Sequence, residues 1–180
     1  VEGIGLVITS EEGTIENNNA FSHWTPNVFR YGTYADQGRQ FTKGHSEDNL
    51  RQINTFFVDF DTLDPNFDYG EILLASHELG FMPTMVLRTP HGYQAFYVLE
   101  NPAYVTKKSN FKVINVAKMI SNNLRNKLAN DYEFPVDVNA NHFGITRIPT
   151  EESILFFEPQ YRYSFEEWIN WSMRVDADKS

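Results

Sequence analysis

The sequence predicts an α+β fold, and three observations support this prediction. Strand-like and helix-like segments are interspersed along the chain, a hairpin-like segment lies near its middle, and 41% of the 180 residues are hydrophobic, which is typical of a globular protein. A chain of this length has room for one substantial core, and it contains no repeat, low-complexity tract or Gly/Ser linker. We therefore expect a single domain over residues 1–180.

The composition excludes several classes of protein. The chain contains no cysteine, which excludes disulfides, thiolate zinc sites and cysteine nucleophiles. No apolar run is long enough to span a bilayer, so we expect no membrane partner. The chain begins VEGIGLVIT, without an initiator Met or a signal-peptide pattern. We expect a fragment of a longer, cytoplasmic polypeptide.

The charge is unevenly distributed. The net charge of −9, from 15 basic and 24 acidic residues, argues against a generally basic nucleic-acid-binding protein. The segment 101–130, however, contains no Asp or Glu and carries six cations: Lys107, Lys108, Lys112, Lys118, Arg125 and Lys127. This segment predicts a local basic surface on an acidic body.

The first elements are predicted as follows. Gly5–Ile8 and Val28–Tyr34 are rich in strand-forming residues and are joined by an Asn-rich polar loop. Ser46–Ile53 is predicted as a short helix with Ser46 as its N-cap. Thr55–Asp61 is the clearest strand in the chain.

A helix and a hairpin follow. Asp68 with Glu71 three residues later predicts a helix start, and Gly80 predicts the helix end. Thr84–Arg88 and Tyr93–Leu99 are predicted as the two strands of a hairpin whose turn reads TPHG.

The segment from Phe111 to Leu128 predicts an amphipathic helix. Its apolar residues recur every three or four positions: Val113, Ala117, Ile120, Leu124 and Leu128. The opposite side collects polar and cationic residues: Lys112, Asn115, Lys118, Asn122 and Arg125. We expect this cationic side to face solvent.

The last elements are two short strands and a helix. Gly144–Ile148 and Ile154–Phe157 are predicted strands. Ser164 with Glu167 predicts a capping box at the start of the final helix, whose sequence carries two tryptophans.

Two carboxylates share one face of the strand that reads FFVDFD. Alternation places Asp59 and Asp61 on the same face as Phe57, and it places Phe56, Val58 and Phe60 on the other. Residues at i and i+2 lie roughly 6–7 Å apart along a strand. Unpaired like charges on a largely apolar strand are costly, and a divalent cation would offset that cost. The alternative is a partly solvated strand face.

A third carboxylate and a cation follow later in the chain. Asp137 lies between apolar residues, and Arg147 lies in a short strand after it. Three carboxylates from two separate elements would suit a two-metal site for phosphoryl transfer. The alternatives are an ordinary loop aspartate and an arginine that pairs with an acidic neighbour.

The hairpin offers groups that suit an anion. Arg88 supplies a cation, Thr89 a hydroxyl, His91 an imidazole, and Gly92 a position where the backbone can approach a phosphate closely. This pattern would suit a triphosphate beside the metals. A plain β-turn is the alternative.

The order of these motifs resembles the archaeo-eukaryotic primase superfamily. The motifs are FFVDFD, TPHGYQAF, VDV around Asp137 and TRIP around Arg147. Nearly the whole chain further resembles the replication initiator (Rep) proteins of theta-replicating plasmids from Gram-positive cocci. The resemblance implies a primase-polymerase-like core in which a mostly antiparallel, RRM-like sheet is flanked by helices.

The resemblance also implies a function. Asp59, Asp61 and Asp137 would bind two Mg²⁺ or Mn²⁺ ions, while His91, Gln94 and Arg147 would orient the triphosphate of an NTP or dNTP. Plasmid-origin DNA and a single-stranded template would be partners, with the cationic helix facing the nucleic acid, and host replication proteins are further expected partners.

One residue departs from the superfamily's pattern. The usual hairpin reads small-Gly-x-Gly-x-His, and aligning it on Gly92 places Gln94 at the His position. A glutamine carries no charge and should hold a triphosphate less tightly than an imidazolium. A domain that binds DNA without catalysis is therefore an alternative.

Other enzyme classes fit less well. DFDT resembles the first motif of haloacid-dehalogenase-type phosphatases, in which Asp59 would be the nucleophile and Asp61 the acid/base. That family needs a parallel sheet and a late acidic pair after a strand, and we expect no acidic pair of that kind in the C-terminal third. A tyrosine-dependent Rep nuclease requires two histidines that flank one hydrophobic residue, and this sequence contains no such pair.

Overall fold

The fold of the chain is mixed α+β with an antiparallel sheet at its centre, as predicted. The computed structural model describes residues 21–30, 38, 46–109 and 112–179. The described strands are β1 His23–Trp24, β2 Val28–Phe29, β3 Leu50–Asp61, β4 Met85–Thr89, β5 Gly92–Tyr104, β6 Thr146–Arg147 and β7 Ile154–Phe157. The described helices are α1 Tyr69–Leu79, α2 Lys112–Asn130 and α3 Phe165–Asp178.

Two sheets are present among the described residues. The larger has five strands in the order β2-β3-β5-β4-β7, and every ladder in it is antiparallel. The smaller pairs β1 with β6. In the described part of the chain, no helix is long and apolar enough to cross a membrane.

The predicted helix at Ser46–Ile53 is wrong. Only Glu47–Asn49 forms a turn of 3-10 helix, and the side chain of Ser46 makes no capping hydrogen bond there. From Leu50 the chain is already in β3, where Leu50 and Ile53 are fully buried in the core. Strand pairing and core burial on this segment therefore override the local capping signal. The predicted strand Gly5–Ile8 and the loop after it lie outside the described residues.

The helix boundaries follow the predicted signals closely. The Asp68 side chain accepts a hydrogen bond from the amide of Gly70 at the start of α1, and Gly80 ends that helix with a left-handed φ of 88°. Ser164 and Glu167 form the predicted capping box of α3. These caps satisfy backbone groups that a helix end leaves unpaired.

The main core lies between the five-stranded sheet and the helices. Phe56, Val58 and Phe60 of β3 are fully buried there. The ring of Trp168 from α3 stacks on Phe81 at a centroid distance of 3.8 Å and meets Phe56 edge-on at 5.3 Å. The predicted alternation of β3 is confirmed, because these residues share the helix-covered face.

The opposite face of the sheet is only partly apolar. A small cluster there contains Phe57, Met85, Leu87 and Phe96. Asp59 and Asp61 continue the Phe57 face toward the end of β3. We call this side of the sheet the carboxylate face.

Candidate functional site

The two aspartates at the end of β3 each pair with a residue of β5. Asp59 lies opposite Gln94, and Asp61 lies opposite Gly92. The carboxylates therefore stand where the β4–β5 hairpin turns, so the hairpin and the two aspartates share one end of the sheet.

The loop between α2 and β6, residues 131–145, brings in the third carboxylate. It runs along the edge of β3 that β5 does not cover. The Asp61 amide donates to the Pro135 carbonyl at 2.9 Å, and the Asp137 amide donates to the Asp59 carbonyl at 2.9 Å. We call this segment the Asp137 loop. The structure thus brings Asp137 to Asp59 and Asp61, although Asp137 is far from both in sequence.

The surroundings of Asp59 perturb the pKa of its carboxyl. Burial raises the pKa of its carboxyl, a hydrogen bond from Gln94 and the charge of Arg125 lower it, and the charges of Asp137 and Asp61 raise it again. The net direction is upward. Its Oδ1 atom is buried and has no hydrogen-bond partner among the described residues. An ionised Asp59 is therefore an incompletely compensated buried charge.

The same site has the donor types that a metal ion requires, but its side chains are not grouped around one. A buried carboxylate oxygen without a donor suits a cation, and carboxylate oxygens are the ligands that Mg²⁺ and Mn²⁺ prefer. As the side chains stand, however, no three His, Cys, Asp or Glu residues in the described part of the chain are grouped to hold a metal ion. The Asp137 carboxylate instead accepts a hydrogen bond from the Asn139 amide at 3.1 Å. The donor types fit a divalent cation, and Asp61 and Asp137 would have to turn toward Asp59 to bind it.

The side-chain amide of Gln94 bridges two parts of the site. It donates to the Asp59 carboxylate, and its Oε1 accepts a hydrogen bond of 3.1 Å from the backbone amide of Arg147. Gln94 is therefore engaged at both ends with protein groups. Through this contact the half-buried Arg147 on β6 lies beside the carboxylate face.

The smaller sheet supplies a residue that the sequence did not single out. His23 on β1 pairs with Arg147 on β6. Burial and the charge of Arg147 lower the pKa of His23, and its Nδ1 lies 2.7 Å from the Ser22 hydroxyl oxygen. A two-residue strand carries too little periodicity to have revealed this pairing.

The hairpin turn has the predicted geometry. Thr89 pairs with Gly92 across a two-residue loop, Pro90-His91. Gly92 has a φ of 149°, and a Cβ at this position would lie 1.8 Å from the Phe60 carbonyl oxygen. Glycine is required here because the turn lies directly against β3. The exposed His91 lines an open cleft of about 520 Å³ together with Asp61.

The prediction that Arg88 lies beside the carboxylates is wrong. Arg88 pairs with Tyr93, which pairs with Phe60, so all three side chains belong to the helix-covered face. The guanidinium carbon of Arg88 lies 5.4 Å from the centroid of the Tyr93 ring. The strand alternation therefore separates Arg88 from Thr89 and directs it away from the site.

The prediction that Arg125 lies on the solvent face of α2 is also wrong. Its side chain is fully buried, whereas Ala117, Ile120, Leu124 and Leu128 are buried as predicted. The guanidinium donates to backbone carbonyls of the Asp137 loop and β3. The buried side of α2 is therefore wider than the spacing of its apolar residues predicts, because it includes Arg125.

The remaining predicted cations divide into two groups. Lys118 pairs with Glu47 at 3.2 Å, and Lys127 pairs with Asp131 at 2.7 Å. Lys107, Lys108 and Lys112 are exposed, and they make no ion pair within the described residues. We call these three the lysine cluster. It follows the end of β5, where Tyr104 pairs with Gln52 of β3, seven residues before Asp59 and roughly 23 Å away by strand rise.

The described sheet contradicts the phosphatase alternative. That class requires a parallel sheet around its first aspartate. Asp59 instead lies in a strand whose ladders to β2 and β5 are both antiparallel. The DFDT sequence is therefore not a haloacid-dehalogenase motif in this fold.

The chain is similar in sequence to named replication proteins. It is 53% identical over 181 residues to Protein RepS of Streptococcus pyogenes and, to the same extent, to Protein RepR of Streptococcus agalactiae; in both cases the match covers 99% of this chain. It is 42% identical over 176 residues to a replication initiation protein of Bacillus anthracis. The match covers 36%, 36% and 34% of these relatives, so the chain spans about a third of their length.

The other comparisons add less. No protein-family model matches the chain. Among solved structures, the AEP domain of the primase-polymerase of cyanophage S-2L is similar with a TM-score of 0.46 and 17% identity, over 72% of this chain and 63% of that one.

Proposed function

Because the chain is homologous over nearly its whole length to Rep replication initiation proteins, we propose that it is the primase-polymerase-like domain of a plasmid replication initiator. The proposed activity is metal-dependent nucleotidyl transfer on a single-stranded DNA template. One observation carries the catalytic part of this proposal: main-chain contacts bring Asp59, Asp61 and Asp137 to one end of β3, where a buried oxygen of Asp59 has no hydrogen-bond partner among the described residues.

The carboxylates would hold one or two Mg²⁺ or Mn²⁺ ions. A bound cation would neutralise negative charge on the substrate phosphates. Asp59 is held in place by Gln94, whose amide also contacts the backbone of Arg147. Asp61 is exposed, and Asp61 and Asp137 would complete the ligand set by rotating their side chains.

The hairpin and β6 would bind the nucleotide. Thr89, His91 and the backbone at Gly92 lie at the same end of the sheet as Asp61 and would contact the triphosphate, as would Arg147. In the proposed reaction a primer 3′-hydroxyl attacks the α-phosphorus of an NTP or dNTP. A new phosphodiester bond forms, and pyrophosphate leaves.

The lysine cluster would contact the DNA backbone. Phosphate contacts by Lys107, Lys108 and Lys112 position nucleic acid without reading its sequence. A strand of DNA that reaches both this cluster and Asp59 must extend along the length of β5. Origin DNA and host replication proteins are further proposed partners, and we propose a cytoplasmic location.

A second candidate function is DNA binding without catalysis. The commitment of Gln94 to Asp59 and Arg147 favours this reading, since it leaves His91 as the one titratable side chain of the hairpin turn. The domain would then keep the fold as a binding platform. Both candidate functions require DNA binding by the lysine cluster.

Nucleotide incorporation separates the two candidates. Labelled NTPs or dNTPs are supplied with a single-stranded template, with and without primer, in Mg²⁺ and in Mn²⁺. The proposal expects incorporation by the wild type, and at least about a hundredfold loss in Asp59→Asn and Asp137→Asn. Asp131→Asn makes the same charge change at a surface ion pair and should retain activity. Absence of incorporation, with DNA binding intact, supports the second candidate.

A further inference from the structure

Arg125 is a buried cation at the junction of three elements. It lies on α2, one turn before the helix ends, and its side chain is 0% exposed. Buried charges are rare in proteins because removing them from water is costly. A fully buried arginine that forms no direct ion pair within the described residues therefore needs an explanation.

The guanidinium links the Asp137 loop to β3. Nη1 donates to the Ala140 carbonyl, and Nη2 donates to the Asn141 carbonyl at 3.1 Å. The same Nη2 lies 3.5 Å from the Phe57 carbonyl. Ala140 follows Asp137 by three residues, and Phe57 precedes Asp59 by two. One side chain therefore holds both segments that carry the carboxylates.

The contact with the loop lies close to the Asp137 side chain. The Ala140 amide lies 3.4 Å from the Asp137 carbonyl, and the Asn139 amide donates to the Asp137 carboxylate. Asp137 therefore begins a tight turn, and Arg125 fastens the far end of that turn. Movement of Ala140 away from α2 would move Asp137 away from Asp59.

The chemistry of this position is specific for arginine. A planar guanidinium donates in several directions at once, whereas a lysine ammonium is a single donor centre. The charge of Arg125 also acts on both Asp59 and Asp137. A side chain that only filled space would need neither several donors nor a charge. An apolar side chain would fit the buried side of α2 better.

We propose that Arg125 is a positioning residue, which fastens the Asp137 loop to β3 and so fixes the separation of Asp59 and Asp137. The role in catalysis rests on the proposed nucleotidyl transfer, but the fastening itself does not. Arg125 does not touch the substrate in this account, because it is buried beneath the site.

Hydrogen exchange tests the fastening without reference to activity. In Arg125→Met, we expect the amides of Asp61 and residues 136–141 to exchange at least about tenfold faster than in the wild type. Amides of the β4–β5 hairpin should keep their wild-type rates. Arg125→Lys keeps the charge but loses the several N–H donors of the guanidinium, and it should give an intermediate increase in the exchange rate. Equal acceleration throughout the sheet, or none in the loop, would overturn the proposal.

A measurement on the wild type covers the case in which the variants do not fold. The Nη protons of a fastened guanidinium should give separate, slowly exchanging NMR signals, and averaged signals would overturn the proposal. Where the wild type incorporates nucleotide, Arg125→Lys should lower kcat at least about tenfold with little change in KM for the nucleotide; a raised KM with normal kcat would contradict positioning. If the wild type does not incorporate nucleotide, the proposed catalytic function is refuted. The hydrogen-exchange result then still tests whether Arg125 fastens the Asp137 loop to β3.

Discussion

The backbone amide of Asp137 donates a hydrogen bond of 2.9 Å to the backbone carbonyl of Asp59. The two aspartates are therefore brought together by their main chains, and neither carboxylate takes part in this contact. Along the same edge of β3, the side chain of Asn27 donates to the Thr55 carbonyl and Arg125 lies against the Phe57 carbonyl. The backbone carbonyls on this edge of β3, which no described strand pairs there, thus accept hydrogen bonds from the Asp137 loop and from two side chains. These contacts position the site.

Neutralising Asp59 should stabilise the fold at pH 7. Burial raises the pKa of Asp59 above 3.8, so the folded state binds the proton more tightly than the unfolded state. Stability is therefore lost as pH rises from 3.8 through the raised pKa, and the full cost is present above that pKa. We expect Asp59→Asn to raise the free energy of unfolding at pH 7 by roughly 0.5–2 kcal/mol.

Urea denaturation at pH 7 and below pH 3.8 measures this effect. The gain should disappear at the lower pH, where Asp59 is protonated in both states. The matched control is Asp64→Asn, which changes an exposed aspartate whose Oδ1 accepts a hydrogen bond that asparagine can also accept. An Asp59→Asn protein less stable than the wild type at pH 7 would refute the prediction.

His142 should make the fold sensitive to mild acid. Burial and the charges of Arg125 and Lys118 lower the pKa of His142 to about 4, from 6.5. Between these values the unfolded state takes up a proton that the folded state does not, so stability falls as pH falls from 6.5 to 4. Because His142 is only half-buried and solvent screens its charge, the loss should stay below the roughly 3 kcal/mol that the full shift would give.

The His142→Asn variant tests the origin of this loss. Asparagine has no ionisable group and can still bond the Ser121 hydroxyl, which lies 2.6 Å from His142 Nδ1. The difference in stability between wild type and variant should therefore depend on pH in this window. Parallel stability profiles of the two proteins from pH 4 to pH 7 would show that His142 is not responsible.

Gly92 should tolerate no side chain. A Cβ there would lie 1.8 Å from the Phe60 carbonyl oxygen, and the φ of 149° is itself unfavourable for other residues. We expect Gly92→Ala to destabilise the protein by roughly 2–4 kcal/mol. Gly80→Ala is the control, because Gly80 also has a positive φ but a Cβ there meets nothing within 4 Å. Thermal denaturation should show a clearly larger loss for Gly92→Ala, and equal losses would mean that the close approach is not the cause.

The lysine cluster should contribute to DNA affinity through phosphate contacts. Replacing Lys107, Lys108 and Lys112 by glutamine should lower the slope of log affinity against log salt by about 2 for single-stranded DNA, with little dependence on sequence. Lys127→Gln should change it less, because Lys127 is paired with Asp131. Fluorescence anisotropy over a salt series gives the slopes. An unchanged slope in the triple variant would place the DNA elsewhere.

Local patterns predicted most of the elements and the placement of Asp59 and Asp61. Alternation in β3 was sufficient to assign both carboxylates to one face, since Phe56, Val58 and Phe60 required the other. The helix ends at Gly80 and Ser164 followed from local capping chemistry. These features depend on neighbouring residues in sequence, which is why they could be predicted.

The errors concern features that depend on tertiary contacts. The position of Arg88 relative to Asp59 depends on the register of β5 on β3, in which Tyr93 pairs with Phe60, and the sequence does not give that register. Arg125 was misplaced because its partners lie in the Asp137 loop and in β3. Helical spacing alone cannot distinguish a solvated arginine from one that donates to buried carbonyls.

Binding of Mn²⁺ tests most directly the claim that the three carboxylates form a cation site. Electron paramagnetic resonance of free Mn²⁺, titrated with the chain at pH 7, measures binding without requiring catalysis. We predict saturable binding of one or two ions by the wild type, its loss in Asp59→Asn and Asp137→Asn, and its retention in Asp131→Asn. Absence of binding by the wild type, or equal binding by all four proteins, would contradict the account.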